Sequence, residues 1–407
     1  MKQELYTPME HGFAQVLAHV EKENPRMAMD AVAAEDVRAV LALRRVTEAG
    51  FLALLSPAAA DFLEPMARRA QDETVRNFGR SMQFFTPLYL ANFCTNRCVY
   101  CGFNTKRDIP RHMLSMDEVE REARCIAATG LRHILALTGD APAKTGAAYL
   151  ADCVRILARH FPSVGIEVPS MSIEEYSLVV EAGVGSMTMF QETYNRELYL
   201  ELHPSGPKRD FYYRLDAPER AVLGGVRSVN LGALLGLDDW RRDFFLTGLH
   251  LHYLQDRYPD LEVSVSLPRM RPCGEKPESA AEMAFQPLAV TDADLVQALT
   301  ALRCFMPQSG ITLSTRESAE LRDKLIPLGV TRISAGVSTA VGGHAVQKEG
   351  VDTVPQFDIS DPRSVDEMVA AVETLGYQPV FTDWLFAGSA GSFTMPSTFA
   401  GAGDMQL

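Results

Sequence analysis

Phe84-Phe-Thr-Pro-Leu-Tyr-Leu-Ala91 is an apolar run of strand length, and the loop Phe93-Cys-Thr-Asn-Arg-Cys-Val-Tyr-Cys-Gly102 follows it almost at once. The loop places Cys94, Cys98 and Cys101 at Cys-x3-Cys-x2-Cys spacing. Iron–sulfur clusters are usually held by four thiolates, so three would leave one iron of a four-iron cluster without a protein ligand. An open coordination position is typical of a reacting metal site. The motif therefore predicts a 4Fe-4S cluster that binds a further molecule at its fourth iron.

Two other interpretations of the three cysteines, a zinc site and a disulfide, have less support. A structural zinc site needs four ligands, and the nearest further candidate, His112, has no second Cys or His pair beside it. A disulfide is disfavoured because nothing marks the chain as secreted. The remaining cysteines are scattered, and Cys125 and Cys153 lie in helix-like segments where we expect ordinary buried thiols.

Composition restricts the partners of this chain. The 407 residues are 47% hydrophobic and 22% charged, which is typical of a globular protein. The net charge is −13, without a cluster of Lys and Arg, so a nucleic-acid partner is not expected. No apolar run approaches the roughly 18 residues that would span a bilayer, and the N-terminus lacks the apolar core of a signal peptide. We therefore expect a cytoplasmic protein without a membrane partner.

From Phe84 onward, apolar runs alternate with amphipathic stretches. The predicted strands are Phe84–Ala91, His133–Leu137, Gly165–Val168, Ser186–Phe190, Ser228–Leu235, Glu262–Leu267, Ile311–Ser314 and Arg332–Ala335. The predicted helices are Asp117–Thr129, Gly146–His160, Ile173–Ala182, Tyr212–Leu223, Asp238–Asp256, Thr291–Cys304, Ser318–Ile326 and Val365–Thr374. Eight such repeats predict an α/β fold, a (β/α)8 TIM-type barrel over residues 81–385. A doubly wound open sheet remains the alternative, because periodicity does not show whether a sheet closes.

The two ends of the chain are expected to differ from the barrel. Residues 1–80 show little strand signal and carry apolar residues at helical spacing between Ala31 and Ala49. Ser56-Pro57 marks a further helix start. We expect this segment to be a helical N-terminal extension outside the main core, and residues 386–407 to be a C-terminal tail.

Polar residues or glycines follow nearly every predicted strand. In chain order they are Cys94, Gly139-Asp140, Ser170, Gln191-Glu192, Leu235-Gly236, Arg269, Arg316 and Ser334. Because the active sites of these barrels collect at the C-terminal ends of the strands, this pattern predicts one site there.

Motifs along the chain resemble those of a known family. They are Pro87-Leu-Tyr-Leu-Ala-Asn92, Tyr100-Cys-Gly-Phe103, Leu137-Thr-Gly-Asp140, Gln191-Glu-Thr-Tyr194, Gly232-Ala-Leu-Leu-Gly-Leu237, Pro268-Arg-Met-Arg-Pro272 and Ser314-Thr-Arg-Glu317. Together with the cysteine loop they resemble the aromatic amino acid lyase branch of the radical S-adenosylmethionine superfamily. Leu54-Leu-Ser-Pro-Ala-Ala59 and Gln378-Pro-Val-Phe-Thr-Asp-Trp384 are similar to the tyrosine lyases of thiamine biosynthesis in that branch. The resemblance covers about residues 50–385.

The resemblance implies a reaction and its cofactors. A 4Fe-4S cluster and S-adenosylmethionine would supply a 5′-deoxyadenosyl radical, with methionine released. The Cα–Cβ bond of L-tyrosine would then break, giving 2-iminoacetate (dehydroglycine) and 4-cresol. The implied partners are a thiazole synthase, which would use the 2-iminoacetate, and a reductant such as flavodoxin or ferredoxin.

The resemblance also implies roles for cofactor-binding residues. Cys94, Cys98 and Cys101 would hold the cluster, and Tyr100 would lie near the adenine. Gly139 and Asp140 stand where the superfamily often has a glutamate that binds the ammonium of the cofactor, and Asp140 is one methylene shorter.

Further roles concern the rest of the cofactor and the substrate. Glu192 would bind the ribose hydroxyls or the methionine ammonium, and Gly232 and Gly236 would let the backbone approach the adenine. Arg316 is the expected bidentate clamp for the tyrosine carboxylate. Ser314 and Ser334 could add hydrogen bonds to the substrate. Arg269 and Arg271 are alternatives to Arg316 as the carboxylate clamp.

Three competing functions stay open. A tyrosine lyase of hydrogenase maturation would need a cysteine-bearing C-terminal domain, and the last cysteine here is Cys304. Tryptophan lyases of peptide antibiotic pathways have similar cysteine loops, although the contexts of Tyr100 and Gln191 favour tyrosine. A non-catalytic, zinc-stabilised protein is the alternative from a different class.

Overall fold

The computed structural model describes residues 6–271, 285–345 and 355–381. Eight strands form a parallel barrel in which each predicted strand is present to within three residues at either end. They are β1 (Ser81–Ala91), β2 (His133–Thr138), β3 (Ser163–Glu167), β4 (Val184–Glu192), β5 (Ser228–Ala233), β6 (Glu262–Ser266), β7 (Gly310–Leu313) and β8 (Arg332–Ser334). The strands pair in sequence order from β2 to β8, and β1 pairs with both β8 and β2. The predicted barrel is therefore confirmed and the open sheet is excluded.

Helices connect the strands on the outside of the barrel. Those after the first strand are α6 (Met116–Ala127), α7 (Pro142–Thr145), α8 (Ala147–Leu157), α9 (Ile173–Ala182), α10 (Arg196–Leu202), α11 (Phe211–Leu215), α12 (Ala217–Leu223), α13 (Trp240–Arg257), α14 (Asp292–Phe305), α15 (Ala319–Leu325) and α16 (Val365–Thr374). Capping boxes begin several of them, as where Ser115 and Glu118 exchange hydrogen bonds at the start of α6. Among the described helices, none combines the length and the apolar character that crossing a bilayer requires.

Two local features differ from the sequence prediction. The single helix predicted over Tyr212–Leu223 is broken between α11 and α12, where Pro218 lies in the first turn of the second helix. Proline donates no backbone hydrogen bond and clashes with the preceding turn, so it starts a helix rather than continuing one. A short strand, β9 (Gln378–Val380), was not predicted and pairs in parallel with the first residues of β1.

The N-terminal helices belong to the main core. They are α1 (Phe13–Lys22), α2 (Pro25–Asp30), α3 (Ala34–Ala42), α4 (Glu48–Leu55) and α5 (Leu63–Phe78), with a 3-10 turn at Pro57–Phe62. Phe51 of α4 is fully buried and stacks on Phe305 of α14 with ring centroids 4.7 Å apart. The expectation that this segment lies outside the core is wrong, because its apolar faces pack into the same hydrophobic cluster as the barrel. The predicted 386–407 tail lies outside the described residues.

Candidate active site

One large cavity opens at the C-terminal ends of the strands and extends into the barrel. Its empty volume is about 1930 Å³, a figure that includes open solvent at its mouth. Most of the predicted site residues line it: Cys94, Cys98, Tyr100, Cys101, Gly139, Asp140, Glu192, Ser314, Arg316 and Ser334.

The cysteine loop is held in shape by Arg111. Its guanidinium donates hydrogen bonds to four backbone carbonyls, those of Asn92 at 2.7 Å, Phe103 at 2.9 Å, Asn104 at 2.6 Å and Arg107 at 3.2 Å. A planar guanidinium with five N–H donors suits such a multiple contact, which a lysine ammonium could not reproduce. Arg111 therefore joins the two ends of the loop that carries the three thiols.

The loop is also joined to the end of β2. The Nδ2 of Asn96 donates to Oδ2 of Asp140 at 2.6 Å, and the backbone N–H of Thr95 donates to the Asp140 carbonyl at 2.8 Å. At Gly139 a Cβ would lie 2.3 Å from the carbonyl oxygen of Phe93. Glycine is required at position 139 because the loop backbone occupies the space of a side chain.

The three thiols lie within electrostatic reach of one another. Burial raises the pKa of the Cys98 thiol, Lys208 opposes that rise, and the nearby Cys101 and Cys94 add to it. Burial and the neighbouring Cys101 likewise raise the pKa of Cys94. Three thiolates this close in a buried site require a cationic group between them, because unpaired buried charges are strongly disfavoured. The donor set thus suits an iron cluster.

Asp140 provides a test of whether the cofactor fits. Its Oδ1 is buried and has no hydrogen-bond partner within the described residues, although its Oδ2 is held by Asn96. Burial raises the pKa of this carboxyl, and the hydrogen bond from Asn96 opposes the rise. A buried acceptor without a donor is rare in proteins. Asp140 lines the cavity beside the cysteine loop, so its unpartnered oxygen suits the ammonium of S-adenosylmethionine.

Tyr100 is fixed by a neutral histidine. The Nδ1 of His203 donates to the Tyr199 carbonyl at 2.7 Å, so its Nε2 is the acceptor for the Tyr100 hydroxyl at 2.8 Å. Burial, followed by the charge of Lys208, lowers the pKa of His203 well below its usual value, in agreement with a neutral ring. The tyrosine ring is thereby held at the cavity wall next to the cluster cysteines.

Glu192 ends β4 in an unusual backbone conformation. Its φ is +72°, which is left-handed and uncommon for a residue with a side chain. The Oε1 of its carboxylate accepts a hydrogen bond from Lys208 Nζ at 2.6 Å and lies 3.4 Å from Arg214 Nη2. Both cations are thus engaged by one carboxylate oxygen, and the carboxylate as a whole lines the cavity.

Arg316 also lines the cavity. Its guanidinium lies 3.6 Å above the ring of Phe357 and forms no ion pair within the part of the chain that the structure describes. Burial lowers its pKa, and the electrostatic effects of Tyr89 and Glu167 oppose the decrease. The hydroxyl of Ser334, also on the cavity wall, is buried without a partner among the described residues.

Three of the predicted site residues do not line the cavity. Arg269 is bound by the carboxylates of Glu317 and Asp292, so its guanidinium is already neutralised. A Cβ on Gly232 would lie 2.7 Å from the Ser266 carbonyl oxygen, and Gly236 has a φ of +107° in a tight turn. Packing and turn geometry thus account for the two glycines, and ion pairs account for the position of Arg269.

Sequence reasoning missed Glu167, which the structure places on the cavity wall at the end of β3. Its carboxyl forms no hydrogen bond or ion pair within the described residues, and burial raises its pKa to about 7. A charged residue at the end of an otherwise apolar strand was the available signal. The residue predicted at this strand end, Ser170, lies three residues further along the same loop.

Comparison with known proteins places this site in a family. A model of the radical SAM superfamily matches residues 88–246, and a model of the biotin and thiamin synthesis associated domain matches residues 266–378. The 2-iminoacetate synthase of Salmonella typhimurium is 37% identical over 366 residues, which cover 90% of this chain and 94% of the relative. The 2-iminoacetate synthase of Escherichia coli is also 37% identical, covering 88% and 93%.

Solved structures agree on the fold. The crystal structure of HydG, a maturase of the [FeFe]-hydrogenase, superposes with a TM-score of 0.78 at 29% identity, covering 91% of this chain and 79% of that protein. The crystal structure of methylornithine synthase has a TM-score of 0.66 at 20% identity and shows the fold alone. With its cysteine loop, barrel and sequence identity over nine-tenths of its length, the chain belongs to the 2-iminoacetate synthase family of radical SAM enzymes.

Proposed function

We propose that this protein is a tyrosine lyase that splits L-tyrosine at the Cα–Cβ bond into 2-iminoacetate and 4-cresol. S-adenosylmethionine is reductively cleaved to methionine and 5′-deoxyadenosine in the same turnover. The product 2-iminoacetate supplies thiazole formation in thiamine biosynthesis. Membership of the 2-iminoacetate synthase family supports this activity.

One observation in the site carries the proposal. The thiols of Cys94, Cys98 and Cys101 line the same cavity as the guanidinium of Arg316, which has no carboxylate partner within the described residues. A bidentate carboxylate is the partner that a guanidinium prefers. The arrangement therefore suits an amino acid substrate next to the cofactor.

The residues of the chain bind and orient the reactants. The cluster and S-adenosylmethionine supply a 5′-deoxyadenosyl radical when both are bound. Asp140 would bind the ammonium of the cofactor, Glu192 would bind its ribose, and Tyr100 would pack near its adenine. Arg316, with Ser314 and Ser334, would hold the substrate carboxylate, so that a single hydrogen faces the radical carbon. Such near-attack positioning contributes much of the rate in reactions of this type.

The decisive assay uses protein reconstituted anaerobically with iron and sulfide. It is incubated with L-tyrosine, S-adenosylmethionine and dithionite, and 5′-deoxyadenosine, 4-cresol and glyoxylate (the hydrolysis product of 2-iminoacetate) are quantified. We expect equal amounts of all three, and none with Cys98→Ala. Formation of 5′-deoxyadenosine without 4-cresol would contradict the substrate assignment alone, and L-tryptophan in place of tyrosine would then test the tryptophan lyase alternative.

The zinc-stabilised alternative finds no support in the donor geometry. Across residues 6–271, 285–345 and 355–381, no three side chains of His, Cys, Asp or Glu are placed to surround a single metal ion. A zinc protein would also remain colourless in the reconstitution. Delivery of 2-iminoacetate to a thiazole synthase, and electron supply by a flavodoxin or ferredoxin, are part of the proposal and can be tested by adding each purified partner to the assay.

A further inference from the structure

The carboxyl group of Glu167 has no partner among the residues that the structure describes, although it lies inside the barrel. It ends β3, where its backbone pairs with Leu137 of β2, and its side chain lines the cavity. Glu167 is half-buried, so its carboxyl is open to the cavity. An unpartnered carboxylate that is open to a cavity can accept hydrogen bonds from a ligand that brings its own donor.

Neighbouring protein cations do not fill this role. Lys208 and Arg214 both lie against Oε1 of Glu192. The hydroxyl of Tyr89, which also lines the cavity, donates to Oε1 of Gln356 at 2.7 Å. The donors on this wall are thus engaged with other acceptors.

Arg316 and Glu167 face the same cavity without forming an ion pair. Each nevertheless affects the other electrostatically: Arg316 lowers the pKa of Glu167, against the larger effect of burial. A cation and an anion that line one cavity without pairing match a ligand that carries both charges on adjacent atoms.

We propose that Glu167 binds the α-ammonium group of the substrate while Arg316 binds its carboxylate, so that this pair selects a zwitterionic α-amino acid. The proposal rests on the proposed function and adds to it a specificity-determining residue. The two contacts fix both substituents of Cα, and the hydrogen to be removed then has one orientation relative to the cofactor. An ammonium beside Glu167 would lower the pKa of this carboxyl and so favour the ionised carboxylate that binds it.

The test compares three ligands that share the phenol ring: L-tyrosine, tyramine, which lacks the carboxylate, and 3-(4-hydroxyphenyl)propanoate, which lacks the ammonium. Dissociation constants are measured by calorimetry on the reconstituted holoenzyme with S-adenosylmethionine and without reductant, so that no turnover occurs. We expect the wild type to prefer tyrosine to the propanoate by about tenfold or more, because hydrogen bonds between charged groups have this magnitude. Glu167→Gln should remove that preference and keep the preference over tyramine. Arg316→Gln should do the reverse.

Controls separate this proposal from the proposed function. Glu201→Gln, at an exposed position of α10, should behave as the wild type in all three titrations. If Glu167→Gln leaves every ratio unchanged, or weakens S-adenosylmethionine instead of tyrosine, the proposal is overturned. If the wild type binds L-tryptophan in preference to indole-3-propanoate, and Glu167→Gln removes that preference while tyrosine does not bind, the ammonium site stands and tyrosine is the wrong substrate. Should Glu167→Gln fail to fold, equal wild-type affinity for tyrosine and the propanoate would overturn the proposal by itself.

Discussion

Asn96 in the cysteine loop donates a hydrogen bond to Asp140 at the end of β2, with 2.6 Å between Nδ2 and Oδ2. This contact connects the segment that carries the cluster thiols with the carboxylate assigned to the cofactor ammonium. It leaves Oδ1 of Asp140 unpartnered within the described residues. One carboxylate oxygen of Asp140 thus binds the cysteine loop, and the other is left for a ligand.

Replacing Asp140 by Asn keeps an acceptor for Asn96 and removes the charge. Because a charge-assisted hydrogen bond contributes about 1.5–3 kcal/mol, we expect the dissociation constant of S-adenosylmethionine to increase by about 10- to 100-fold. Equilibrium dialysis on the reconstituted protein measures this change, and Asp152→Asn on the exposed side of α8 is the matched control. Unchanged cofactor affinity in Asp140→Asn would remove this residue from the cofactor site.

Replacing Arg111 by Ala should loosen the cysteine loop, because four carbonyls lose their shared donor. We expect the free energy of unfolding to fall by about 2–4 kcal/mol. The iron bound per chain after reconstitution should also fall. Arg111→Lys is the control for charge, and it should restore little, because an ammonium does not span the same carbonyls. Full iron loading of Arg111→Ala would contradict this account of the loop.

The affinity for tyrosine should depend on pH through Glu167. Burial raises the pKa of this carboxyl to about 7, so it is largely protonated at pH 6 and ionised at pH 8. Only the ionised form attracts the substrate ammonium, and KM for tyrosine should therefore be roughly tenfold higher at pH 6 than at pH 8. The charged groups that act on Glu167 are Arg316, Glu192, Arg214 and Lys208.

Steady-state kinetics between pH 6 and pH 8 would show this dependence. The variant Glu167→Gln should have a nearly constant KM over the same range, because its amide does not titrate. A wild-type KM that does not change with pH would count against the ionisation of Glu167 in substrate binding.

Phe51 tests whether the N-terminal helices belong to the barrel core. It is fully buried against Phe305, and a Cβ on Gly248 of α13 would lie 2.3 Å from its ring. Phe51→Ala should reduce the free energy of unfolding by about 3–5 kcal/mol in denaturant titrations. Leu43→Ala, at a position that is 47% exposed, should change it by less than about 0.5 kcal/mol. Similar small effects for both variants would show that the N-terminal segment unfolds separately.

The strands were predictable because each is a short apolar run with polar or glycine residues at its end. Ile173–Ala182 and Val365–Thr374 were predicted to the residue, since a serine cap and an apolar periodicity mark both. The strand Gln378–Val380 was not predictable in this way. It has only three residues, and it is extended because it pairs with the first residues of β1.

Site residues were predictable where the motif itself defines the chemistry, as for Cys94, Cys98 and Cys101. The pairing of Arg269 was not predictable, because its carboxylate partner Glu317 lies 48 residues away in sequence. No local pattern shows which of several arginines is already paired.

The sequence by itself determined the open cluster motif, the alternation of strands and helices, and the family, because these depend on residue type and spacing. The tertiary structure alone decided that the sheet closes, that the N-terminal helices share its core, and that Glu167 and Arg316 face one cavity without pairing. Closure of the sheet and packing of the helices depend on contacts between residues that are far apart in the chain. The charge of a buried side chain likewise depends on neighbours that only the folded chain brings within reach.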